Sequence, residues 1–472
     1  MKGNMIGRQA EKKILDDVYS SKESAFVAIY GRRRVGKTYL VRETFSDAFT
    51  FEIAGLANAS TTEQLLNFGL TLRKLSAESL KMPKNWLEAF RQLIDFVEKS
   101  KSKRKILFFD EIPWMDTPRS GFLTALEHFW NSWASARKDI VLIVCGSATS
   151  WIINNLINNH GGLHNRLTHT IYLKPFTLSE CEQYFKWRKL DFSRYKIAEI
   201  YMIMGGIPFY LSKMERGMSV AQNIDNLFFA ENAILKNEFG NLYASLFRNS
   251  DDYVKIVEAL SKKGKGLNRN EISKLAKITG GGGLSKALQD LEHCGFIRKY
   301  HSFNKKTRDV LYQLMDAYSL FYFKFIQKNE HGDAHFWGNS VDTPLYHNWT
   351  GYAFEMVVLQ HVAAIRKALS IAGIQSSVSA WRSESSKPGA QIDLVINRKD
   401  GIINVLEIKY CNRKFTITKD CEENLRNKIA AFKAETNVRQ AVHLIMLTTF
   451  GINKNRYAEI AQKELILDDL FN

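Results

Sequence analysis

The chain has 472 residues, 45% of them hydrophobic and 24% charged, proportions that suit about three folded domains and exclude a disordered, fibrous or low-complexity chain. Lys and Arg number 66 against 49 Asp and Glu, a formal charge of +17, which points to a polyanionic partner, nucleic acid first and an anionic membrane surface second. Five cysteines without C-x-x-C spacing argue against a disulfide framework or a zinc site, and apolar runs far shorter than the roughly 18 residues of a membrane span, with no signal-peptide core at Met1–Asn4, predict a cytoplasmic chain with no membrane partner.

The first chemical signal is an apolar run, Ser24 to Tyr30, that ends in Gly31, Arg32, Arg33, Arg34, Val35, Gly36, Lys37 and Thr38 before a helical stretch. Strand, G-x-x-x-x-G-K-[ST] loop and helix form a phosphate cradle. Backbone N–H groups hold phosphates, Lys37 reaches the outer ones, and the Thr38 hydroxyl suits magnesium. About 70 residues on, Lys105 to Phe109 is a strand that ends in Asp110 and Glu111. Paired with the loop, Asp110 is expected to hold magnesium through water and Glu111 to orient or deprotonate an attacking water, which makes ATP and Mg2+ the expected cofactors. A further strand, Ile140 to Cys145, ends in Gly146, Ser147, Ala148 and Thr149. Ser147 is therefore placed to contact a γ-phosphate or the water, or simply to cap the next helix. Strands alternating with helices predict an α/β, doubly wound parallel sheet.

The segment Met5 to Glu11, the loop GRRRVGKT, the strand ILFFDEIPWMD, and the later Gly161–Arg166 and Gly205–Pro208 together resemble the archaeal-type ATPase family of AAA+/STAND P-loop proteins, over roughly the first 240 residues. The resemblance implies that Met5 to Glu11 line an adenine pocket. It also implies that Arg166 completes the ATP site, in cis or from a neighbouring subunit, which leaves an oligomer open. Residues 1–176 are then the ATPase core and 177–245 a helical lid, with a hinge-like break at Gly205, Gly206 and Pro208.

From Asp251 the pattern becomes helix, helix, glycine break at 280–283, helix from Leu284, and two β-like runs, Phe296 to Tyr300 and Val310 to Leu314. That is the order of a winged helix-turn-helix, assigned to 246–330. Thirteen Lys/Arg face seven Asp/Glu between Asp251 and Gln313, so the module is basic. Ser285, Lys286 and Gln289 are candidates for a DNA groove, and Lys305, Lys306 and Arg308 for phosphates. A module that only packs against the ATPase is the alternative. The basic run Lys262 to Lys265 reads as a solvated loop or a phosphate contact.

The aromatic run after Asp316 reads as packing, and Lys328–Pro344, rich in His, Gly, Asn and Asp, as a loose linker. In 345–472, Glu355 is a carboxylate on an apolar helix, Asp393 lies near the start of a strand, and Glu407-x-Lys409 lies within the next strand. Residues two apart on a strand share a face. Glu407 and Lys409 therefore share a face with Asp393 on the neighbouring strand, two carboxylates for a divalent metal and a lysine beside a scissile phosphate. With Glu355 as the third carboxylate, the arrangement resembles the PD-(D/E)-x-K nuclease superfamily over about residues 350 to 450, with Ile392 where the signature expects proline. It implies a restriction-endonuclease-like α/β domain, active or inactive. The combined expectation is an ATPase whose nucleotide state moves the lid and winged helix to admit DNA to Glu355, Asp393, Glu407 and Lys409. The alternatives are a STAND-like switch with a protein partner and a DNA-binding regulator that does not cut.

Overall fold

The computed structural model describes residues 5–247, 249–304, 310–383 and 389–472. They divide into two compact units, Met1–Pro175 and Phe176–Asn472. In the first, β1 (Ala25–Tyr30), β2 (Phe49–Ala54), β3 (Lys105–Asp110), β4 (Ile140–Gly146) and β5 (His169–Tyr172) form a parallel sheet in the order β2-β3-β4-β1-β5. β3 and β4 are buried along their whole length. Strands covered on both faces are continuous Ile, Leu, Val and Phe runs rather than alternating ones.

Helix α1 (Gln9–Ser20) precedes β1, and α2 (Lys37–Phe45), α3 (Thr61–Ser76), α4 (Trp86–Lys99) and α5 (Phe122–Ser132) lie in the crossovers. The start of α4 is fixed by Asn85, whose side-chain oxygen accepts the Glu88 N–H at 2.9 Å. Its Trp86, Ala89, Phe90, Leu93 and Val97 form a buried stripe at helical spacing. Each large member of that stripe stabilises the unit by about 1.5–3 kcal/mol. Because the sheet is parallel, all strand ends that carry chemistry meet at one edge. β4 lies between β1 and β3, so Ser147 emerges between the phosphate loop and Asp110.

The second unit opens with α6 (Leu178–Trp187), α7 (Arg194–Met204) and α8 (Glu238–Leu246). The Gly205–Pro208 break is a tight contact. Gly206 O accepts the Phe176 N–H at 2.6 Å, and a Cβ on Gly206 would lie 1.9 Å from Phe176 O, so only glycine fits. Next come α9 (Ser250–Ser261), α10 (Arg269–Ala276), α11 (Gly282–His293) and the antiparallel hairpin β6 (Ile297–His301) and β7 (Val310–Leu314). Leu284, Ala287, Leu288 and Leu291 bury one face of α11 and leave Ser285, Lys286 and Gln289 exposed on the other. The expected phosphate contacts Lys305, Lys306 and Arg308 lie outside the described residues.

α12 (Ala317–Phe321), α13 (Phe336–Ser340) and α14 (Pro344–Gln360) follow. The segment 328–344 is not the loose linker its composition suggests. Trp337 in α13 is fully buried, with its ring 5.0 Å from Phe325 and 5.4 Å from Trp349, and its backbone N–H donates to Asp225 Oδ1 at 2.9 Å. One buried indole outweighs a run of polar neighbours, because burial of 150–250 Å² of aromatic surface fixes the backbone on either side.

The chain ends in a mixed sheet, β12-β11-β10-β9-β8, made from β8 (Ser376–Arg382), β9 (Gln391–Arg398), β10 (Ile402–Lys409), β11 (Ala441–Thr448) and β12 (Lys463–Ile466). β8, β9 and β10 pair antiparallel, while α15 (Lys419–Thr436) carries the chain from β10 to its parallel neighbour β11. The hairpin is joined to this sheet. Ser302, just past β6, bridges Ala380 on β8, and the Phe303 N–H donates to Ala380 O at 2.7 Å. Phe303 is buried in the sheet's own core, 5.1 Å from Phe432 on α15. The module thus contributes Phe303 to the core of the domain it was expected to gate, a packed contact that a swing of the hairpin would have to break.

Candidate functional site

The N-terminal site is built where β1, β4 and β3 end. Gly31 turns tightly beneath β5, since a Cβ there would lie 2.4 Å from Leu173 O. Gly36 has φ +93°, a left-handed conformation that favours glycine, and open space where a side chain would stand. Val35 is buried, and Arg8 donates to its carbonyl at 3.2 Å. Arg32 is buried, whereas Arg33 and Arg34 are partly exposed. Lys37, only 5% exposed, donates from Nζ to Gly31 O and Arg32 O, both at 3.0 Å. Neutral carbonyls compensate a buried ammonium less well than an anion does. It is poised to exchange them for phosphate oxygens.

The Thr38 hydroxyl donates to Asp110 Oδ2 at 2.7 Å, and the Glu111 N–H to Asp110 Oδ1 at 3.0 Å. Glu111 sits at φ +45°, a left-handed conformation that costs about 1–2 kcal/mol for a residue with a Cβ. That turn aims its carboxylate along the sheet edge to Ser147, whose N–H and hydroxyl both donate to Glu111 Oε2, at 3.0 and 2.9 Å. Gly146 makes the approach possible, because a Cβ there would lie 2.7 Å from Pro113. In this state Ser147 orients Glu111. Below them the buried Cys145 thiol is pushed well above its ordinary value, by burial first and by the Asp110 carboxylate next. The floor of the site is thus electronegative. Hard oxygen donors on Thr38 and Asp110, side by side in that field, fit magnesium, and the open loop beside Lys37 fits a polyphosphate. Arg166 is exposed on the Gly161–Arg166 loop.

The C-terminal cluster forms between α14, β9, β10 and α15. β9 and β10 pair up to Leu394 opposite Leu406, so one step further Asp393 stands opposite Glu407 and on the same face. Lys409 Nζ lies 2.9 Å from Glu407 Oε1 and Lys428 Nζ 2.6 Å from Oε2. Burial raises the Glu407 carboxyl, but the two lysines outweigh it and hold it below its ordinary value. Burial lowers the Lys409 ammonium, and Glu407 in turn more than restores it. Glu355 is pushed up to about 8, by burial first and then by Asp393 and Glu407. Asp393 is also raised, chiefly by burial, while Gln391 donates to it and pulls the other way.

The expected trio therefore shares one electrostatic environment without forming a cage. Among the described residues no group of three or more His, Cys, Asp or Glu side chains is arranged to hold a metal ion. Glu407 has both oxygens turned to lysines.

Lys428 is missing from the sequence reading. It lies three residues after Leu425 and four before Phe432, both buried, so a lysine on the apolar stripe of a helix was the available signal. The hairpin contributes too. Arg298 on β6 donates to Gln313 Oε1 at 2.7 Å and covers the Tyr300 ring at 4.5 Å, within the field of Asp393 and Glu355. Lys265 likewise acts on Asp393. Its loop packs on α14, since a Cβ on Gly264 would meet the Tyr352 ring at 2.9 Å.

The parallel sheet, the loop after β1 and the acidic end of β3 define a P-loop ATPase fold in the N-terminal part. Residues 5–214 match the family model of an ATPase domain predominantly from Archaea. Along most of its length the chain is similar to an uncharacterised protein of Methanocaldococcus jannaschii, 22% identical over 435 residues that cover 90% of this chain and 91% of that one. Among solved structures it is similar to a Walker-type ATPase of Pyrococcus abyssi, with 19% identity, TM-score 0.48, and 68% of this chain and 96% of that one covered. The ORC2 protein of Aeropyrum pernix, solved in ADPNP and ADP complexes, is 13% identical with TM-score 0.43, over 68% of this chain and 93% of that one. Among the described residues no helix is long and apolar enough to cross a membrane.

Proposed function

We propose that the chain is an ATPase that binds MgATP between the loop Gly31–Thr38 and Asp110, and that its second unit binds DNA. The observation that carries the first part is the buried Lys37, satisfied by two loop carbonyls and facing the Thr38, Asp110, Glu111 and Ser147 array. On binding, Lys37 Nζ trades those carbonyls for outer phosphate oxygens, and the loop N–H groups and the start of α2 take the remainder. Thr38 and Asp110 would hold the ion. Magnesium, when bound, neutralises charge on the transferring phosphoryl group. Glu111 accepts a proton from the attacking water, and Ser147 keeps its carboxylate aimed, with Arg166 as the candidate for the remaining charge, from this subunit or another.

The DNA part rests on the net charge of +17, on three helices followed by a hairpin, which supports a winged helix-turn-helix, and on the exposed Ser285, Lys286 and Gln289 of α11. The order of Glu355, Asp393 and Glu407-x-Lys409 supports a PD-(D/E)-x-K-like C-terminal domain. One observation favours a second reading, a regulator that holds nucleic acid without cutting it: Glu407 is engaged by Lys409 and Lys428 rather than free for a metal. Steady-state ATP hydrolysis with and without duplex DNA, with Glu111→Gln as the blank, tests the whole. A DNA-stimulated rate that vanishes in the variant supports it. A rate indifferent to DNA moves the assignment to a protein-partnered switch. Metal-dependent cleavage lost in Glu407→Ala separates cutting from holding.

A further inference from the structure

One residue past Lys409 the chain leaves β10 and lines a pocket of about 340 Å³. Its wall is aromatic. The Tyr410 ring stacks on Tyr195 of α7 at 5.3 Å and 15°, Tyr195 stacks on Phe450 at 5.3 Å and 26°, and Lys196 Nζ lies 5.7 Å from the Tyr195 ring centroid. Tyr346 of α14 closes the side, while Asn412, Arg413 and Lys414 stand exposed at the mouth. His347 and Asp342, 3.9 Å apart, form the opposite rim. The phenols of Tyr195, Tyr346 and Tyr410 are all raised by burial, so they remain protonated and able to donate.

A column of rings, an amide and neutral hydroxyls for the edge of a heterocycle, and two cations at the entrance make a specific combination. Nucleic-acid sites that act on single strands pair an aromatic platform for a base with basic groups for the backbone. The volume lies at the lower end of the range for small-ligand pockets, suited to a single planar ring system and its sugar. A base paired within a duplex has both faces covered by its neighbours and cannot enter.

We propose that this pocket takes an unpaired nucleobase, with Arg413 and Lys414 on the flanking phosphates. The inference rests on the nucleic-acid reading above and adds to it the substrate class: a single strand, or a duplex opened at the site. Lys409 and Tyr410 are consecutive, with Cα atoms about 3.8 Å apart, so the pocket adjoins the end of β10, although neighbours on an extended strand point to opposite faces.

The test uses the full chain without divalent ions and measures fluorescence anisotropy of two labelled single strands of equal length, one of thymidines and one of abasic deoxyribose phosphates. The parent is expected to bind the base-bearing strand about tenfold more tightly, the effect of one stacked base. Tyr195→Ala removes that preference, Tyr195→Phe keeps it, and Lys414→Ala weakens both strands alike. Unchanged melting of Tyr195→Ala shows that the loss is not unfolding. Equal, tight binding of the two strands by the parent, or a preference that survives in Tyr195→Ala, overturns the pocket assignment and leaves the nucleic-acid reading standing. Binding of neither strand overturns both.

Discussion

Glu355 is the residue on which the C-terminal site bears most directly on stability. Its carboxyl titrates at about 8 in the folded chain against an ordinary 4.5, because α14 buries it beside Asp393 and Glu407. Below the unfolded value the group is protonated in both states and costs nothing. Between the two values the folded chain binds a proton that the unfolded chain has lost, so stability falls as pH rises through this window and levels off above the folded value. With each pH unit between the two worth about 1.4 kcal/mol, ionising Glu355 costs the fold up to about 5 kcal/mol, less what local relaxation returns. Glu355→Gln keeps the shape and removes the titration. In a unit of this size about 1 kcal/mol moves the melting temperature by about 2 °C. Melts of the parent and variant in EDTA are expected to coincide within a few degrees at pH 5 and to separate by several degrees in favour of the variant at pH 8.5. Parallel pH profiles for the two proteins would falsify the account of a buried carboxyl kept neutral by its neighbours.

Three further outcomes follow from contacts already described. Phe303→Ala removes the aromatic that fixes the hairpin in the sheet core and is expected to cost about 3–5 kcal/mol. It lowers the melting of the second unit while ATP affinity, measured by calorimetry, stays unchanged; a shift under about 1 kcal/mol would mean that the hairpin is only resting there. Ser147→Ala deletes one of the two hydrogen bonds that aim Glu111, so kcat should fall about tenfold with ATP affinity intact, in the range for a positioned general base. Lys428→Met leaves Glu407 with one lysine, and breaking a buried pair costs about 3–5 kcal/mol. Because the Glu407 carboxyl is held low, its contribution is present at neutral pH and fades as pH falls through its folded value, so the parent and variant should converge in urea melts at acid pH.

The phosphate loop was legible because strand, glycine spacing and helix lie within some twenty consecutive residues, and the α/β parallel sheet because β1, β3 and β4 are unbroken apolar runs. β2 and β5 were not anticipated. Both are edge strands, of six and four residues; β5 buries only Ile171 among its four and carries no period, whereas β2 alternates and buries Phe51 and Ile53, a signal the sequence did display. The pairing of Ser147 with Glu111 depends on β4 lying next to β3 and on the left-handed turn at Glu111, which no local pattern displays. Lys428 was legible in principle, as a charge on an apolar stripe. The junction of Ser302 and Phe303 with β8 was not, because it joins segments about 80 residues apart through backbone groups that any sequence possesses.

That junction changes what counts as a part of this chain. A fragment cut at residue 345 would begin after the hairpin, leaving the edge of β8 unpaired and a phenylalanine-sized hole beside Phe432 and Trp381, an invitation to aggregation rather than a dissected domain. A fragment that stops at 330 would keep an aromatic meant for another core and expose it to water. A piece that preserves both sides, and with them Asp225 on Trp337 and Tyr195 on Tyr410, is the whole second unit, Phe176–Asn472. Exchange of modules between relatives, in the laboratory or over time, is therefore expected to carry the helix-hairpin segment and the C-terminal sheet as a single cassette.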